Sequence, residues 1–228
     1  IIVDEAQDII SEPYLNFLDS CIKRGIDRGR WMMFGDLSMQ AIYGKERDEE
    51  TFIDILDRYT SFARIKLNIN CRNTKKICEE VRTITGIYEK SKYQKIIDGP
   101  PVQYITYSGV DDELDKLVKI LTKLSENQVE NGEITILSPR RRENSVVNVL
   151  HGINVLNFSI PKIENLTFST IHAFKGLENK VIILVDIEHF YDKKLMYVGL
   201  SRARTGLYVL ETESANKEYA ELFIKRRL

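Results

Sequence analysis

The chain is short of cysteine, of long hydrophobic runs and of any excess of charge, and each shortage argues against a class of protein. Only three cysteines occur in 228 residues: Cys21, Cys71 and Cys78. The count is odd and the spacing is not that of metal ligands, which speaks against a disulfide scaffold and for a reducing, cytoplasmic setting. The longest apolar run, Val181 to Val185, falls far short of the ~20 residues that a membrane-spanning helix needs, so no membrane partner is expected. No basic segment precedes an apolar stretch at the start, so no signal peptide is read. Lys and Arg number 33 against 34 Asp and Glu, a net charge of -1. That excludes a uniformly basic nucleic-acid binder, while a local basic groove stays open. There is no internal repeat. With 43% hydrophobic and 29% charged residues, the composition is that of a globular chain of one or two domains. The chain does not begin with Met and opens inside an apolar run, Ile1-Ile2-Val3, which we read as the mark of a fragment.

What is present alternates between strand and helix patterns. Ile1–Val3 reads as a short buried strand and Trp31–Phe34 as a second apolar strand. Between them Ser11-Glu12-Pro13 opens a helix in which Tyr14, Leu15, Leu18, Cys21 and Ile22 recur at helical spacing. Phe52–Tyr59, Thr74–Gly86, Asp111–Leu124, Ser145–Leu150, Asp192–Arg204 and Ala215–Arg227 read as helices. Strands are predicted at Ala63–Leu67, Val102–Tyr107, Glu133–Leu137, Val155–Phe158, Leu166–Ile171, Val181–Val185 and Leu207–Glu211. The continuous β-branched run at Val181–Val185 suits a central parallel strand. Alternating strands and helices predict an α/β parallel sheet with helices on both faces. In such sheets the chemistry lies at the carboxyl ends of the strands. Asp4 and Glu5 stand at that place on the first strand, with carboxylates suited to a hard cation and to proton transfer.

Five segments in order sharpen this. Val3-Asp4-Glu5-Ala6-Gln7-Asp8 resembles the Walker B element, motif II, of UvrD/Rep-like helicases of superfamily 1. Phe34-Gly35-Asp36 with Gln40-Ala41-Ile42-Tyr43 is similar to motif III, and Leu67 to Thr74, with Asn70-Cys71-Arg72-Asn73 inside it, to motif IV. Thr170-Ile171-His172-Ala173-Phe174-Lys175-Gly176-Leu177-Glu178 resembles motif V, and Tyr197-Val198-Gly199-Leu200-Ser201-Arg202-Ala203-Arg204 motif VI.

The resemblance implies a RecA-like, P-loop NTPase fold: the carboxyl-terminal part of a first lobe over residues 1–60, and a second lobe over residues 61–228 without a large accessory insertion. It implies an ATP-dependent helicase or translocase on single-stranded DNA, with ATP and Mg²⁺ as cofactors. By resemblance Asp4 helps hold Mg²⁺, Glu5 is the general base and Gln40 senses the γ-phosphate. Arg72 and Arg202 reach that phosphate, where a guanidinium fork stabilises developing charge. Glu178 bonds the ribose and Gly176 admits the backbone close to the ligand. Thr170, His172, Lys175 and Tyr43 face the nucleic acid, Tyr43 as a stacking platform.

Other residues read more plainly. Arg204 and the run Arg140-Arg141-Arg142 are taken as structural or solvated, and Cys71 and Cys78 as small buried hydrophobes. Two departures matter. No G-x-x-x-x-G-K-[ST] loop occurs, so the fragment alone is expected not to hydrolyse ATP. Cys71 also stands where motif IV usually has an adenine-stacking aromatic. The alternatives are an ATP-gated regulatory or binding module of a nuclease, repair or defence complex, and an RNA-directed helicase.

Overall fold

The computed structural model describes residues 1–36, 49–67, 69–86, 92–93, 97–158 and 165–227. Gln40 and Tyr43 lie outside the described residues. The chain divides into two compact units, Ile1–Leu67 and Asn68–Leu228.

The first unit pairs β1 (Ile2–Val3) in parallel with β2 (Met32–Met33). Between them run α1 (Glu12–Cys21) and the short α2 (Gly25–Arg28), and α3 (Glu49–Asp57) follows. Pro13 occupies the first turn of α1, where its missing N–H costs nothing. Leu15, Leu18 and Ile22 turn inward and meet Val3, Ala6, Ile10, Ile26, Phe52 and Leu56 in one apolar core. The stretch predicted as a strand at Ala63–Leu67 is irregular instead. Its apolar alternation finds no sheet: Ile65 is 84% and Leu67 81% exposed.

The second unit begins with β3 (Ile69–Asn70), which pairs in parallel with β4 (Lys92–Tyr93) around α4 (Lys75–Thr85). Gly86 ends α4 in the left-handed region at φ 82°, a conformation glycine reaches without steric penalty. There follow β5 (Gln103–Tyr107), α5 (Val110–Glu126), β6 (Ile134–Ser138), β7 (Val155–Asn157), β8 (Leu166–Thr170), β9 (Asn179–Ile187), α6 (Lys193–Ser201), β10 (Ala203–Thr212) and α7 (Glu213–Arg227). Six of these strands form one sheet in the order β5-β10-β9-β6-β8-β7, every pair parallel. Ser145–Leu150, predicted helical, is a 3-10 turn at Val146–Val149. The helix predicted to reach Arg204 ends at Ser201, because β10 already begins at Ala203.

Burial on both faces explains the sequence of β9. Val181, Ile183 and Val185 point into a core built with Leu117, Ile120, Leu121 and Leu124 of α5. Ile182 and Leu184 are equally buried on the opposite face. There Gly199 of α6 comes so close that a Cβ would lie 3.3 Å from Leu184 and 3.2 Å from Ile171. A side chain at position 199 would require Ile171 and Leu184 to give by a few tenths of an ångström, so this glycine serves a close approach. No helix among the described residues is long and apolar enough to cross a membrane.

Ile183 is fully buried at the centre of this sheet. Ile183→Ala should lower unfolding free energy by about 2–5 kcal/mol, the range for a large-to-small change in a packed core. Urea unfolding of the chain checks it; a loss well under 1 kcal/mol would contradict the packing described.

Candidate functional site

In the first unit, Asp4 and Glu5 follow β1 directly. Glu5 sits in the left-handed region at φ 50°, a rare conformation for a residue with a Cβ. The Asp4 carboxylate turns back to accept the Glu5 N–H at 2.9 Å. Gln7 is buried and bridges two segments: its amide N–H donates to the Glu5 carboxylate, and its Oε1 accepts the Asp36 N–H at 3.2 Å. At Gly35 a Cβ would lie 2.5 Å from Gln7 Oε1, so a side chain there would displace the Gln7 amide. The carboxylate motif and the Gly35-Asp36 turn are thus one assembly joined through Gln7, to which the sequence assigned no role. Among the described residues no group of three or more His, Cys, Asp or Glu could hold a metal ion. Asp4 therefore offers a hard oxygen donor but no closed cage, the donor set suited to a cation that takes its remaining ligands from water and phosphate.

In the second unit the motif-IV turn is built on Asn70, whose side-chain oxygen accepts the backbone N–H groups of Arg72 and Asn73 at 3.0 and 3.1 Å. That Asx turn aims Arg72 outward. Its Nε donates to Glu178 at 2.6 Å, and Arg204 approaches the other oxygen of the same carboxylate at 3.6 Å. Asn73 locks the arrangement by donating its amide to the carbonyls of Ser201 and Ala203 at 2.9 and 2.6 Å. Motifs IV, V and VI therefore meet at one place. Cys71 and Cys21 are exposed and Cys78 is partly exposed, so the thiols are not the buried hydrophobes expected.

Arg202 lies differently. It is 1% exposed. Its Nε donates to the Val198 carbonyl at 3.1 Å, one Nη to the Leu177 carbonyl at 3.2 Å and the other to Ser201 Oγ at 3.1 Å. The cation sits on the carbonyl end of α6, where the helix dipole favours positive charge. It ties motif VI to the turn that carries Glu178.

Thr170 ends β8, in register with Ser138 of β6. Its hydroxyl accepts the Ala173 N–H at 3.1 Å, closing a turn that sets out His172, Lys175 and Gly176 together. Gly176 has φ 82°, so the turn demands glycine for conformation as well as for any close ligand. Phe174 anchors the turn, buried edge-on against Phe158 at 5.1 Å.

A buried polar network, which no motif announces, lies at the carboxyl ends of β6 and β9. A bulge in β9 sets Asp186 at φ 59°. Its N–H is captured by Glu113 of α5 at 2.6 Å, while its carboxylate accepts from Ser138 at 2.6 Å and from the Val146 N–H at 3.1 Å. Arg140 reaches Asp186 at 3.8 Å and Glu188 at 2.8 Å, and Arg142 lies over the Phe168 ring. These two arginines are thus built into the fold and not merely solvated. Burial pushes the Glu113 carboxyl from its ordinary 4.5 up to about 7, and the neighbouring Asp186 charge adds to the rise. The Asp186 N–H, Arg140 and the Tyr107 hydroxyl act in the opposite direction. Burial also raises the Tyr107 phenol.

Comparison with known proteins follows this geometry. Residues 165–210 match the family model of the UvrD-like helicase C-terminal domain. The match runs from β8 through the Thr170 turn and α6 into β10, the segments that carry Glu178, Arg202 and Arg204. Among the solved structures that are similar are the two that follow. One is the C-terminal domain of a possible DNA helicase from Lactobacillus plantarum WCFS1, at TM-score 0.50 and 17% identity over 67% of this chain and 94% of that one. The other is the PRRSV helicase, at TM-score 0.50 and 15% identity over 92% of this chain and 34% of that one. At these identities the likeness shows the fold: the second unit is an α/β domain of the RecA-like kind found in helicases. No curated protein matches the chain in sequence.

A carboxyl whose folded pKa is raised stabilises the fold while protonated. That contribution is whole below about 4.5 and is lost as pH climbs through about 7. The urea midpoint of the second unit should therefore fall between pH 5 and pH 8. In Glu113→Gln, which keeps an acceptor for the Asp186 N–H, it should fall less. An equally steep decline in the variant would remove Glu113 as its source.

Proposed function

We propose that the chain is the carboxyl-terminal part of an ATP-dependent helicase or translocase acting on single-stranded DNA. The observation that carries the reading is the convergence of Arg72, Glu178 and the Arg202 support at one edge of the second unit. It is supported by the family match over 165–210, which covers two of those three residues. Arg72 is partly open to water, and a guanidinium so exposed is able to pair with a polyanion.

In this reading Asp4 would hold Mg²⁺, which when bound would supply charge neutralisation on the triphosphate. Glu5, oriented by Gln7, takes the proton of the attacking water. Arg72 and Arg202 stabilise charge on the transferred phosphoryl group. Thr170, His172 and Lys175 hold the sugar-phosphate strand, whose grip changes with nucleotide state. Partner proteins of the repair or nuclease kind belong to the same proposal.

The test is Glu5→Gln in the full-length protein. Loss of a positioned general base should lower ATP turnover by about 10²–10⁴-fold with nucleotide binding retained. Wild-type turnover should rise on adding single-stranded DNA. Turnover within a few-fold of wild type in the variant would remove Glu5 as base, and stimulation by RNA alone would reassign the track.

A further inference from the structure

The sequence offered Arg204 no role, yet its side chain converges on the same carboxylate as Arg72. Arg72 uses only its Nε on Glu178, and its two Nη groups make no hydrogen bond among the described residues. Arg204 approaches the opposite carboxylate oxygen at 3.6 Å. The backbone frames the three residues. The Arg204 carbonyl accepts the Thr74 N–H at 3.3 Å, two residues beyond Arg72, and the Arg202 carbonyl accepts the Asn179 N–H at 3.1 Å, next to Glu178. Both arginines and the carboxylate are partly open to water, with side-chain exposures of 36%, 60% and 39% for Arg72, Arg204 and Glu178. The pairs can therefore exchange without a large desolvation penalty.

We propose that Arg204 is a positioning residue of the nucleotide site, holding Glu178 in place when Arg72 leaves it for a phosphate. The inference rests on the proposed function and names a member of the same site. With Arg72 alone, Glu178 would lose its cation at the moment the carboxylate is needed as a hydrogen-bond acceptor for a sugar hydroxyl. With Arg204 on the second oxygen, the carboxylate keeps its charge partner and orientation throughout. The contact involves a single Nε, so positive charge at this position matters more than the guanidinium fork.

Two readouts test this. In the 228-residue chain, the Nε–H NMR signals of both Arg72 and Arg204 should shift in Glu178→Gln. In the full-length protein, Arg204→Gln should raise the KM for ATP and the Kd of a fluorescent ADP about threefold, the scale of one exposed ion pair. Arg204→Lys should restore both, and Arg72→Gln should act mainly on kcat. An Arg204 signal unmoved by Glu178→Gln overturns the proposal. So does an Arg204→Gln protein with wild-type nucleotide affinity, where Glu178→Gln and Arg72→Gln are impaired. If all three variants bind and turn over ATP as wild type, the proposed function fails together with the inference.

Discussion

A parallel sheet covered on both faces is the constraint on which the rest of the second unit depends. Every side chain in the middle of β6 and β9 is taken up by packing. A polar group there would have to be buried without water, at a cost that apolar neighbours cannot offset. Charged groups are confined to the strand ends, where backbone N–H and C=O groups come free and loops can supply partners. The buried charged residues obey this, while Thr135 of β6 and Thr167 of β8 meet the cost inside the sheet by bonding to each other at 2.9 Å. Asp186 and Ser138 close β9 and β6, Glu211 stands near the end of β10, and Arg202 caps α6 just before β10 begins.

The same constraint divides what was legible in the sequence from what was not. The β-branched run at Val181–Val185 and the spacing of Leu117, Leu121 and Leu124 follow directly from two-faced burial, so strand, helix and sheet type could all be read. Motif order placed Arg72, Glu178 and Arg202 in one neighbourhood. Apolar pattern misled at Ala63–Leu67, because alternation records which residues could face a core and not whether a neighbouring strand exists. The bulge at Asp186 left no trace, since its cause is a carboxylate 73 positions earlier in the chain that captures one N–H. Nor could periodicity reveal a charged residue placed in the interior, as with Arg202.

Gln7 and Asn73 illustrate a second kind of blindness. Each is an amide whose hydrogen-bond partners lie in two segments, so its role exists only after two stretches have met. Gln7 joins the Glu5 carboxylate to the Asp36 backbone. Asn73 joins the Arg72 turn to the carbonyls around Arg202. An amide serves here better than a charged group, because it satisfies buried carbonyls without bringing a charge that needs its own partner.

Arg72 and Arg202 hold the same functional group in opposite physical states. Arg202 is already stripped of water and held at a helix end, with its guanidinium committed to the Val198, Leu177 and Ser201 oxygens. Arg72 rests on a carboxylate within reach of water and must trade that partner for any phosphate it engages. Its net gain is the difference between two ion pairs, a small quantity that a neighbouring charge can tip either way. Control of such a site by nearby surface charge therefore falls on Arg72 far more than on Arg202, and the residue best placed to exert it is the one that shares its carboxylate.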